Sequence, residues 1–390
     1  MYPSTDRKCN HRQAFTLVEL LVAVSIIGIL MAIAIPAIGG ALRRAREAAI
    51  RAEIEAISQG IEAYKLKYGD YPPDFFSWDI AQRHYRKVFP QIDNNQLLLL
   101  RRLCADTDDL SASLWPGVGH DPRRIDRAEA VVWNLGGFSS DPQFPFTGAG
   151  GPLSPRAPMP VPGDLSDPAN YYYNSSRDNA LMDFETSLLT IGEFDPTTGT
   201  ALSTEELGHP GSPALWELPD FFPCYLRRAD DGPYVYFDSR SYAIAYVDSI
   251  GTPAPKTYLN TYTSPQSKQW GSVRPYVSSQ TVSPAEMVVT LAPAGSGGLR
   301  FMEPGKFQLL NGGLDNSLGQ VLLDATTTQP LYISYPSGQA YRIDSATTPA
   351  TAYETNITKY QETNVNGITD NVHLDNFANF ATDKLESELP

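Results

Sequence analysis

Basic residues are scarce in this chain. Lys and Arg number 30 against 44 Asp and Glu over 390 residues, a net charge of −14. That balance argues against sequence-independent binding of nucleic acid or anionic lipid by the bulk of the molecule. Cysteine is scarcer still, with three residues and no CxxC spacing, so zinc-ribbon and thioredoxin-like chemistry lack their ligands. The five histidines, His11, His84, His120, His209 and His373, are scattered, with no spacing that pairs them. There is no P-loop, no HExxH and no GxSxG. No internal repeat stands out. The chain therefore reads as a non-enzyme.

One long apolar run is present, and it lies near the start. Phe15 to Ile38 contains a single charged residue, Glu19. At helical rise the run is about 36 Å long, enough to cross a hydrocarbon core of about 30 Å. A carboxylate deep in that core costs about 2.5–3.5 kcal/mol, so Glu19 needs a compensating partner. Residues 1–14 are short and polar, with Arg7, Lys8 and Arg12 against Asp6. A basic segment before an apolar run marks a membrane-targeting signal. This run is too long for an ordinary signal peptide and passes without a break into a charged helical pattern.

Beyond the span, Ile50, Ile54, Ile57, Ile61, Tyr64 and Tyr68 recur at intervals of four and three, one apolar stripe on a helix. Gly39-Gly40 is expected to loosen this helix, and Gly69 with Pro72-Pro73 to end it. A helix from Phe15 to Tyr68 is about 80 Å long. The rest holds most of the 29 Gly, 32 Pro and 21 Tyr, which suits a loop-rich β or α+β region better than a helical bundle. Leu97–Leu103 reads as a short buried helix and Val131–Trp133 as a strand or a helix end. Residues 136–168 read as a long loop. Pro233–Asp248, Met287–Leu291, Phe307–Leu310, Val321–Leu323 and Leu331–Tyr335 are strand candidates, and Ser345–Thr369 reads as loop.

The segment Ala14-Phe-Thr-Leu-Val-Glu-Leu-Leu-Val-Ala-Val-Ser-Ile-Ile-Gly-Ile-Leu30 resembles the N-terminus of type IV prepilins and type II secretion pseudopilins. The resemblance implies cleavage by a prepilin peptidase between Ala14 and Phe15, where the family usually has Gly before the cut, and methylation of the new amine. Glu19 becomes the fifth mature residue, the family's assembly acid, and Pro36 falls at a common helix-loosening position. A neighbouring subunit's Phe15 amine then supplies the partner that Glu19 needs. The implied fold is α+β. Residues 1–14 are a leader, 15–38 the transmembrane half of the helix and 39–68 its amphipathic half, packed on an antiparallel β ectodomain, 69–390.

Flanking charge does not fix the orientation, because Arg43, Arg44, Arg46 and Arg51 against Glu47 follow the span. The resemblance places the leader in the cytoplasm and the ectodomain in the periplasm, with a single pass through the inner membrane. Implied partners are the prepilin peptidase and methyltransferase, other pilin-like subunits, the inner-membrane machinery of a secretion system or pilus, and the membrane, but not nucleic acid. Cleavage removes Cys9 and leaves Cys104 and Cys224, either a disulfide or two buried thiols.

No cofactor is required on this reading, and calcium is the one metal implied. Lys306–Asn316 and Asp375–Phe380 resemble two elements of the major pseudopilins between which calcium binds. They nominate Asp315 and Asp375 by position, and Asp370 more loosely. The other reading of these acids is as solvated turn residues, as it is for Asp106, Asp108 and Asp109. The competing function is a membrane-anchored binding protein that never polymerises. In that case Tyr171-Tyr-Tyr173 line a recognition surface; otherwise they are core and edge-strand residues.

Overall fold

A computed structural model of the chain describes residues 16–104, 124–159, 161–195, 200–203, 222–228, 231–242, 274–280, 289–291, 298–319, 331–344, 351–363, 369–370 and 374–389. The leader with Ala14 and Phe15, the acids at 106, 108 and 109, and the strand candidate Val321–Leu323 lie outside them.

The first element, α1, is one helix from Leu17 to Tyr68, 52 residues long. It passes through Pro36 and through Gly39-Gly40 without interruption, contrary to the loosening expected at the glycines. The strong helix formers that follow, Ala41-Leu-Arg-Arg-Ala45, carry the turn past them. Gly69, at φ +78°, ends the helix, and its amide donates to Lys65 O at 2.7 Å. This left-handed cap is one that glycine adopts without steric cost. The chain divides into two compact units, 1–49 and 50–390, so the second unit begins inside α1.

In the first unit the apolar side chains from Leu17 to Leu42 are exposed. Arg43 and Glu47 pair at 3.2 Å one helical turn apart.

The second unit holds three further helices: α2 (Trp78–Val88), α3 (Asn94–Leu103) and α4 (Glu129–Leu135). Asp93 caps α3 by accepting from Asn95 N at 2.8 Å. Val131–Trp133 falls within α4, the helical alternative. The strands are β1 (Leu153–Pro155), β2 (Tyr171–Tyr173), β3 (Ile191–Asp195), β4 (Thr200–Ser203), β5 (Tyr234–Asp238), β6 (Val277–Ser278), β7 (Val289–Leu291) and β8 (Gly298–Leu299). They continue with β9 (Phe307–Asn311), β10 (Leu331–Tyr335), β11 (Ala340–Asp344), β12 (Thr351–Glu354), β13 (Glu362–Thr363), β14 (Thr369–Asp370) and β15 (Phe377–Ala378). The chain is α+β, as expected.

Two apolar cores lie on either side of a three-stranded antiparallel sheet of order β15-β9-β5. Tyr234, Tyr236, Phe307, Leu309 and Phe377 join the core that contains Ile50, Ile54, Ile57, Ile61 and Tyr64 of α1. Val235, Phe237, Leu310 and Ala378 join the other, with Tyr276, Phe301, Tyr332 and Tyr360. Burial on both faces explains why Tyr234-Val-Tyr-Phe237 is continuously apolar rather than alternating.

A six-stranded sheet of order β6-β10-β11-β12-β7-β8 builds the far side of the second core. It is mixed rather than antiparallel, since β10–β6 and β12–β7 pair in parallel. Each parallel pair joins strands far apart in sequence, as parallel pairing requires. Its two ends meet: Ser278 N donates to Arg300 O at 2.8 Å and Met302 N to Tyr276 O at 2.9 Å. The sheet thus closes on itself.

Two sequence expectations are corrected. Within Ser345–Thr369, β12 pairs with both β11 and β7. Its Thr, Tyr and small Ala352, the last fully buried, suit a pleated surface better than the polar composition suggested. The stretch 136–168 contains β1, whose Leu153 sits opposite Tyr173 of β2.

Candidate functional site

Thr16 and Glu19 open α1 as a reciprocal pair. The Glu19 carboxylate accepts from Thr16 N and from Thr16 Oγ1, each at 2.9 Å, while Glu19 N donates to Thr16 Oγ1 at 3.2 Å. This is a capping box, in which two amides left over at a helix start are satisfied by two side chains. The pattern Ser/Thr-x-x-Glu before an apolar run is its sequence signature, so the box was readable at Thr16-Leu-Val-Glu19 and was missed. No charged residue stands between Glu19 and Arg43. Among the described residues no cation pairs with Glu19.

The two C-terminal elements nominated for calcium do come together. Phe377 and Ala378 of β15 pair with Asn311 and Leu310 of β9. Asp375 Oδ2 accepts from Leu314 N at 2.9 Å and Asp315 N at 3.2 Å. Gly313, at φ +67°, packs under that turn, where a Cβ would lie 2.1 Å from Asp375 O. Burial raises the Asp375 pKa against the lowering effect of these amide donors. Asp315 Oδ1 accepts from Ser317 N at 2.7 Å. Both carboxylates thus receive amide protons at their own turn. Among the described residues no group of three or more His, Cys, Asp or Glu side chains converges as a metal site. Asp370 lies in β14, opposite Glu362 of β13.

Tyr171 and Tyr173 are buried in β2 and only Tyr172 is half-exposed, so the triplet is core and strand rather than a recognition surface. Cys104 and Cys224 are both buried, in different apolar clusters.

A buried ionic network ties the segment after α1 to the end of β5. Asp74 accepts from Arg127 Nε at 2.8 Å and from Ser241 Oγ. Asp238 accepts from Arg240 Nε at 2.7 Å, and Arg240 also reaches Asp70 Oδ2 at 3.0 Å and Tyr71 O at 2.7 Å. Burial pushes the Asp238 carboxyl up to about 7, against the pull of Arg240. Sequence reasoning found none of this, because its cross-links join positions 53 to 170 apart and leave no local pattern.

No curated protein and no solved structure matches the chain. Residues 9–35 match the family model described as the prokaryotic N-terminal methylation motif. The helix that this segment enters is the one described element long and apolar enough to span a membrane, and it fits a membrane anchor. The methylation motif, continued by that long apolar helix, is consistent with a prepilin-like protein.

Proposed function

We propose that this chain is a pilin-like structural subunit, cut between Ala14 and Phe15, methylated on the Phe15 amine, and assembled into a type II secretion pseudopilus or a type IV pilus-like filament. The observation that carries the reading is the continuity of the methylation motif at 9–35 with an apolar helix whose first turn holds a single carboxylate, Glu19. Cleavage creates a cation at Phe15, and stacking of subunits brings one chain's amine to the next chain's Glu19. Pairing lowers the burial cost of both charges and sets the register.

The anchor resides in the inner membrane, with 50–390 on the periplasmic side. Partners are the prepilin peptidase and methyltransferase, other pilin-like subunits and the inner-membrane assembly machinery. The work is mechanical rather than catalytic and requires no metal. The test is intact-mass and N-terminal analysis of the protein from its native membrane. A mature chain that starts at Phe15 and carries one added methyl is the expected result. A chain that keeps residues 1–14 in cells with active prepilin peptidase overturns the reading and leaves a membrane-anchored binding protein that does not polymerise.

A further inference from the structure

The pattern Asn-x-Ser/Thr occurs at Asn174-Ser-Ser176 and at Asn356-Ile-Thr358. It marks an acceptor for an N-linked sugar, a bulky group that needs a surface position. A three-residue pattern arises readily by chance, so what each copy is free to do decides its meaning.

The first copy is spent on its own turn. Asn174 Nδ2 donates to Gly151 O at 2.8 Å and to Ser176 O at 2.9 Å, while Oδ1 accepts from Ser176 N at 3.1 Å. Both amide protons are committed, and the side chain is half-buried. A sugar on this nitrogen would displace one of those bonds.

The second copy is unencumbered. Asn356 and Thr358 are exposed, and neither side chain has a hydrogen-bond partner among the described residues. The loop that carries them is held by its backbone instead. Thr355 N donates to Ala340 O at 3.0 Å, Ala340 N to Ile357 O at 3.0 Å and Tyr360 N to Gly338 O at 3.0 Å. Gln339 Nε2 also donates to Thr355 O at 2.9 Å. Tyr360, fully buried, pins the far end. Glu354, two positions before Asn356, is exposed and gives a transferase an anion to pair with, whereas Tyr172 stands at the same offset from Asn174. Ala352 and Tyr360 flank the motif and belong to the second core, across the three-stranded sheet from the α1 stripe. A sugar here leaves the packed face of α1 clear.

We propose that Asn356 is an N-glycosylation site, loaded from a lipid-linked oligosaccharide diphosphate by a membrane oligosaccharyltransferase. In the transfer, Nδ2 bonds to the anomeric carbon as that carbon's bond to the diphosphate oxygen breaks. The lipid diphosphate leaves with the electron pair, and a base on the transferase takes the proton that Nδ2 loses. The inference rests on the export of 50–390 proposed above, because the transfer takes place outside the cytoplasm.

The test is fragmentation mass spectrometry of the full chain taken from its native membrane. Trypsin cuts after Arg342 and Lys359 and releases the motif in one peptide, 343–359. The expected result is a sugar mass on that peptide, located on Asn356. The sugar should be lost in Asn356→Gln and in Thr358→Ala, and kept in Thr358→Ser and in Asn174→Gln. Asn356 and Thr358 are exposed and unbonded, and an unchanged circular dichroism spectrum verifies the fold of their variants. A bare peptide overturns the inference, and with an N-terminus at Phe15 it does so while the filament reading stands. A sugar that persists in Asn356→Gln, or that sits on a Ser or Thr of the peptide, overturns it as well. A sugar on Asn356 in a chain that keeps residues 1–14 supports the inference and overturns the processing instead.

Discussion

At its own helix end the Glu19 carboxylate accepts two hydrogen bonds from Thr16, and on the assembly proposed above it also faces a neighbour's amine. The two uses are separable, because glutamine closes a capping box as well as glutamate does but carries no charge. Glu19→Gln is expected to insert normally, to keep the first turn of α1, and yet to fail to enter filaments. Glu19→Ala is expected to lose about 1 kcal/mol of helix start as well. Counting subunits in sheared filaments decides it: wild-type incorporation of Glu19→Gln makes capping the role and removes charge pairing. His84 yields a second expectation at this scale. Its folded pKa, depressed by burial to about 3, lies below the unfolded value of about 6.5. The unfolded chain therefore takes up the proton first. The stability contributed by the neutral ring is present above pH 6.5 and is lost as the pH falls toward 3. In thermal melts across that window, His84→Gln should lose stability less steeply than the wild type. Parallel curves would mean that His84 is not held neutral.

Among the elements, α1 was the most legible, since its stripe at Ile50, Ile54, Ile57, Ile61 and Tyr64 is the buried face that period and residue type foretold. Ile57 is fully buried, whereas Leu66 on the same helix is 87% exposed. Ile57→Ala should cost about 2–5 kcal/mol in denaturant unfolding, whereas Leu66→Ala should cost less than about 0.5 kcal/mol. Equal effects would mean that the helix does not pack through this stripe. Family resemblance singled out Lys306–Asn316 and Asp375–Phe380, but not that they pair as strands, because partners so far apart share no local signal. What remained hidden was chemistry that tertiary contact creates: the buried Asp74–Arg127 pair, the orphan nitrogen of His84, and β12 inside a Thr- and Ala-rich stretch. A local signal overlooked was the capping box at Thr16 and Glu19.

For the whole molecule, the question of metal becomes one of global stability. With Asp375 and Asp315 both engaged by turn amides, adding calcium or a chelator should leave the Tm of the full chain in detergent unchanged. A rise that grows with calcium concentration would show a site that binds the folded state. The closure of the six-stranded sheet, through Ser278 with Arg300 and Met302 with Tyr276, bears on crowding. A filament subunit waits in a two-dimensional membrane and then stacks at a local concentration far above that of a dilute soluble protein. Open strand edges in that setting would recruit neighbouring copies into unprogrammed ladders. A sheet whose first and last strands bond to each other offers no such seam. The outer edge of β5 is likewise occupied, by Tyr236 N donating to Arg127 O at 3.1 Å. On the filament reading proposed above, neither of these edges competes with the helix, whose release a peptidase controls.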